Sequence, residues 1–121
     1  MDFDQAIAAH AAWKGKLSQY LAKPDKSLQP SEIALDNRCD LGKWIAGEGK
    51  QYAKIREYEA VKSSHAQFHK VAADIVQRAN SGKAVAEEVA LGAKSEFATA
   101  SSAVVRAIMA LKSKIRATVS V

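Results

Sequence analysis

Residues 51–80 read QYAKIREYEAVKSSHAQFHKVAADIVQRAN. Within this stretch Tyr52, Ile55, Tyr58, Val61, His65, Phe68, Ala72, Ile75, Val76 and Ala79 recur mostly at steps of three and four, the spacing of one helix face. The stretch predicts a long amphipathic helix from about 51 to 80 with that face turned to a core. Asn80-Ser81-Gly82 ends it, with Gly82 as the left-handed stop.

The same pattern continues on both sides. Downstream, Val85, Val89, Ala93, Phe97, Ala100, Val104, Ile108, Leu111 and Ile115 form the stripe of a second long helix, from about 84 to 118. Ala103, Ala107 and Ala110 widen it toward a second apolar face. Upstream, Phe3, Ile7, His10, Ala11, Leu17 and Leu21 share a face of a helix from about 3 to 22. Asp2 or Asp4 caps its start and Pro24 stops it. Residues 23–50 hold both prolines and three of the six glycines, so they read as an irregular connection. Two short helices fit inside it, one opening at Pro30-Ser31-Glu32 with Ser31 as cap, the other over Leu41–Ala46. A connection this long inside a compact domain usually has a function. The expected fold is all-α and four-helix-bundle-like, with this connection between the first and second long helices.

Composition agrees. Alanine supplies 24 of the apolar residues, and proline and glycine total only eight in a 121-residue chain. Alanine is the strongest helix former and proline and glycine the weakest. The length predicts a single domain over residues 1–121. One cysteine excludes a disulfide scaffold. No apolar run is long enough to span a bilayer, and the opening Met-Asp-Phe-Asp has no signal-peptide character, so the expected location is cytoplasmic. The net charge of +5 lies along the helices of residues 51–121, interleaved with Glu87, Glu88 and Glu96. It forms no dense basic stripe, which argues against nucleic acid as a partner.

The histidines and the cysteine carry the chemistry. His65 and His69 are one helical turn apart and project from one face, so both imidazoles can reach one metal ion. His10 lies on the apolar face of the first helix, and Cys39 lies in the connection. Three imidazoles and a thiolate form a four-coordinate set that suits tetrahedral zinc. Other sites fail on residue type. A di-iron bundle site needs Glu-x-x-His pairs, but Lys62 and Ala66 stand three residues before His65 and His69. His-Glu-x-x-His is absent because Ala66 follows His65. A catalytic zinc keeps one position for water, and four protein ligands leave none. Asp36, near Cys39, is the best carboxylate candidate to support a ligand. Trp13 and Trp44 are candidates to pack around the site, and Gly42 to turn the chain after the cysteine.

Three blocks resemble one family, the chemoreceptor zinc-binding (CZB) domain. His10-Ala11-Ala12-Trp13 is similar to its first-helix histidine and tryptophan. Cys39-Asp40-Leu41-Gly42-Lys43-Trp44-Ile45 is similar to its central cysteine motif, and His65-Ala66-Gln67-Phe68-His69 to its paired histidines. The resemblance spans roughly residues 3–80. It implies a helical bundle holding one zinc ion per chain through His10, Cys39, His65 and His69. It further implies a bacterial, largely cytoplasmic regulator, often a homodimer, acting on a chemoreceptor or a diguanylate cyclase output domain. The implied input is zinc itself, or oxidation of the zinc-bound cysteine by hypochlorous acid. No enzyme activity, nucleic acid or membrane contact is expected. The competing reading is a structural zinc site in a protein-interaction or dimerisation module, with a metalloenzyme behind it. No room for an output domain is expected within this chain.

Overall fold

A computed structural model describes residues 2–23, 27–35, 39–81, 91–92 and 95–119, with side chains to residue 116. Its helices are α1 (Phe3–Ala11), α2 (Trp13–Ala22), α3 (Pro30–Ile33), α4 (Asp40–Ala46), α5 (Arg56–Asn80) and α6 (Glu96–Val119), with a 3-10 helical turn over Glu48–Tyr52. No strand occurs among the described residues, and the fold is an all-α helical bundle.

The two long helices α5 and α6 pack along each other and form the body of the core. Val61, Phe68, Val76, Val104, Ile108 and Leu111 are fully or almost fully buried between them and their neighbours. Burying one such side chain is worth about 1.5–3 kcal/mol. Helix α1 lies on α6, while α2 and α3 lie on α5. The connection is thereby fixed to the face of α5 that carries the two histidines. Tyr20 Oη donates to Asn80 Oδ1, and Asn80 Nδ2 donates to the Leu28 carbonyl at 2.9 Å. This polar pair ties α2, the connection and the end of α5 together.

Several boundaries differ from the sequence expectation. The first helix is interrupted at Ala12, whose ψ of −20° departs from the usual helical value. The helical ladder resumes across it, from Ala12 N to Ala8 O and from Lys16 N to Ala12 O. Tyr20 is buried on its inner face, whereas Ala11 is exposed. Asp2 is the N-cap, accepting from Gln5 N at 3.0 Å. Helix α3 starts from Gln29 rather than from Ser31. Pro30 then takes the first helical position, where a missing N–H costs nothing. The second long helix begins at Arg56, not near 51, because the chain first makes the 3-10 turn that brings Tyr52 onto Trp44. The last helix is not continuous from 84. Ser95 breaks it: its hydroxyl donates to Gly92 O at 2.7 Å and accepts from Ala98 N at 3.1 Å, which caps α6. Pro24, Asp36, Gly82, Val85, Glu87, Glu88, Val89 and Ala93 lie outside the described residues.

Trp44 organises the connection. Its ring meets Phe3 edge-on with centroids 5.3 Å apart and stacks on Tyr52 at 6.0 Å. Gly49 makes this packing feasible. A Cβ there would sit 2.7 Å from the Trp44 carbonyl oxygen and 2.8 Å from its ring. Gly49→Ala is expected to destabilise the protein by about 1–3 kcal/mol, as overpacking does. Denaturant unfolding followed by tryptophan fluorescence checks this; an unchanged midpoint would contradict the close approach.

Candidate metal centre

Four side chains from three separate parts of the chain converge on the middle of α5. His10 comes from α1, Cys39 from the N-cap of α4, and His65 and His69 from α5. Their ligand atoms all lie within 4.8 Å of one another. Cys39 Sγ is 3.1 Å from His65 Nε2 and 3.8 Å from His69 Nε2, and the two Nε2 atoms are 3.0 Å apart.

Three of the four candidate ligands are aimed by backbone groups. Cys39 caps α4 and its sulfur accepts the Gly42 N–H at 3.4 Å, a contact that favours the thiolate. Gly42, singled out for a turn, is buried and supplies this donor. His10 Nδ1 lies 2.7 Å from Ala6 O, and His69 Nδ1 lies 2.9 Å from Ile33 O. A carbonyl only accepts, so both Nδ1 atoms carry the proton and both Nε2 atoms present a lone pair. That is the tautomer a metal needs, fixed in the manner usual for ligating histidines.

The donor set fits zinc. Bond lengths of about 2.0–2.1 Å to nitrogen and about 2.3 Å to sulfur place tetrahedral N···N and N···S edges near about 3.3 and about 3.6 Å. The two S···N distances, 3.1 and 3.8 Å, bracket the second edge, and the N···N distance of 3.0 Å is a few tenths of an ångström short of the first. Electrostatics agree. Burial pushes the His65 pKa down to about 3, with His69 and His10 adding repulsion. His10 is also lowered, first by burial, although its bond to Ala6 acts the other way. The pocket therefore holds these imidazoles neutral and ready to ligate.

The other expected site residues are placed as follows. Trp44, on α4, packs against Phe3, Tyr52 and Tyr58. Trp13 is half-buried at the start of α2, with the Lys16 ammonium 4.9 Å from its ring. Asp36 falls outside the described residues. The ring that walls the cluster is Phe68, with centroids 5.2 Å from His10 and 5.8 Å from His69. The apolar stripe of residues 51–80 places Phe68 in the core, and its position directly before His69 is the one signal that connects it with the site. The carbonyls of Ala6 and Ile33 had no sequence signal, because any residue supplies one.

The chemoreceptor zinc-binding domain family matches residues 10–76, from the first of the four candidate ligands to beyond the last. No curated protein and no solved structure matches the chain.

Proposed function

The chain belongs to the chemoreceptor zinc-binding domain family, and on that premise we propose that it is a zinc-dependent regulatory domain in bacterial signalling. The family binds zinc, and the grouped donors are consistent with one zinc site. In the proposed site, His10, His65 and His69 ligate through Nε2 and Cys39 through Sγ. The observation that carries the reading is the convergence of all three histidines and the only cysteine within 4.8 Å.

The bound zinc would supply a positive charge that keeps Cys39 as thiolate. The residues do the rest. Ala6 and Ile33 hold two imidazoles in register, Phe68 limits water, and Gly42 steadies the sulfur. Cys39 is the one candidate ligand residue that is not fully buried. This favours sensing over a purely structural site, since an oxidant in solution can reach it. Cys39 thiolate with hypochlorous acid gives Cys39 sulfenic acid and chloride, and the oxidised sulfur is a poorer ligand. The cap of α4 then exchanges a charged thiolate acceptor for a weaker neutral one, so the start of α4 is the element that changes state.

Two-electron oxidation with one equivalent of hypochlorous acid should release zinc to a chromophoric chelator within the time of sulfenic acid formation. Zinc that stays bound while Cys39 oxidises would support the structural alternative. The output is read by a chemoreceptor or a diguanylate cyclase domain in the same or another chain, in the cytoplasm. A homodimer is part of this reading, supported by Met109, which is 54% exposed on α6. Sedimentation across a range of concentrations tests it, and a monomer throughout would exclude it. No helix among the described residues is long and apolar enough to cross a membrane. The family is one of zinc-binding signalling domains and not a known enzyme family.

A further inference from the structure

The three histidines are not supported alike. His10 and His69 give their Nδ1 protons to backbone carbonyls, but Nδ1 of His65 has no hydrogen-bond partner among the described residues. His65 is only 1% exposed, and Glu57 Oε2, not His65 Nδ1, is the fully enclosed side-chain atom without a partner among the described residues, so Nδ1 keeps slight solvent contact. His65 also lines a cavity of about 230 Å³ on the side of α4. Its floor is apolar, built from Ile45 and Tyr58. The Tyr58 hydroxyl already donates to Ile45 O at 2.6 Å, so it has no proton left for a ligand.

The remaining polar lining is cationic. Lys50, from the 3-10 turn, and Lys62, from α5, reach the same cavity, and neither has an ion-pair partner among the described residues. No acidic side chain lines it. Two ammonium groups and the unpartnered N–H of an otherwise buried imidazole around a small apolar floor select a negatively charged acceptor. The volume corresponds to about seven waters, room for a small oxyanion with part of its hydration shell.

The geometry points to an anion subsite in which a small oxyanion accepts from His65 Nδ1–H and is held by Lys50 and Lys62. This rests on the proposed site, because ligation through His65 Nε2 is what fixes the proton on Nδ1. An acceptor at Nδ1 makes an imidazole a stronger donor to its metal, and such partners are worth about 10–100-fold in metal affinity. The anion and zinc are then coupled, each tightening the other by the same factor. The domain would report zinc against the level of a small anion, rather than zinc alone.

The test uses the full chain, with sodium sulfate as the probe against sodium chloride at equal ionic strength. Zinc affinity is measured by competition with a chromophoric chelator, and zinc content is measured beforehand. Sulfate should tighten zinc binding by about tenfold in the wild type, and this gain should disappear in the Lys50→Ala/Lys62→Ala double variant. In the zinc-loaded protein, the imidazole proton resonance of His65 should move saturably with sulfate. Equal zinc affinity in the two salts, a gain that persists in the double variant, or a shift without saturation would overturn the subsite while leaving the zinc site intact. Failure of the wild type to bind zinc in either salt would overturn both.

Discussion

Replacing Cys39 by serine should weaken zinc binding by about two to three orders of magnitude and leave the helices in place. The size follows from the site. Structural zinc sites with four protein ligands bind with about 10–16 kcal/mol near neutral pH. A quarter share is about 2.5–4 kcal/mol, and each factor of ten is about 1.4 kcal/mol. Serine keeps an oxygen that can accept the Gly42 N–H, so the cap of α4 survives. What it lacks is an easily formed anion, since its hydroxyl stays protonated at neutral pH where zinc-bound cysteine is a thiolate. His10, His65 and His69 remain and would hold the metal more weakly with one position open to water. Competition with a chelator of known affinity gives the change, and circular dichroism gives the helix content. Wild-type affinity in the variant would remove Cys39 from the ligand set. Collapse of the helices would instead make Cys39 a folding residue and would show that the cap of α4 matters more than the metal.

The residues that define this site were legible because helix periodicity and ligand chemistry are both written in side chains. His65 and His69 need only the four-residue step within a long amphipathic stretch. His10 needs only to lie on an apolar face, and its 3% exposure shows that the face is buried. Cys39 enters as the single thiolate that completes a four-coordinate set with the three histidines, although nothing in the spacing of residues 23–50 says where a loop sulfur will fold. The misread features are of another kind. Whether a helix starts at Gln29 or Ser31 depends on Pro30 favouring the first helical position over the hydroxyl next to it. The break before α6 depends on Ser95 bonding backward to Gly92 as well as forward to Ala98. Both are contests between neighbouring local options that a stripe of apolar residues does not decide. The supports from Ala6 and Ile33 are backbone groups placed by tertiary packing, so no residue type could have announced them.

Removal of zinc should lower the melting temperature by about 10–20 °C at neutral pH. A ligand present at a thousandfold excess over its dissociation constant stabilises the folded state by about 4 kcal/mol. In a domain of this length, 1 kcal/mol moves the midpoint by a few degrees. The metal-free protein should also become steeply acid-sensitive. In the unfolded chain His65 titrates near 6.5, whereas in the folded chain burial and the neighbouring imidazoles hold it near 3. Between those values the unfolded state binds the extra proton, so stability rises with pH across this window. It is fully present above 6.5 and lost progressively as the pH falls toward 3. His10, lowered in the same direction, adds to the slope. Urea unfolding of the metal-free protein at a series of pH values reads this directly. His65→Leu keeps an apolar side chain of similar size and removes the titrating group, so its slope over the same window should be shallower by up to one proton. An acid limb of unchanged steepness in that variant would mean that His65 is not the buried neutral imidazole described here. The loss of stability would then have to come from the carboxylates, such as Asp4, whose pKa is lowered chiefly by its bond to Lys112.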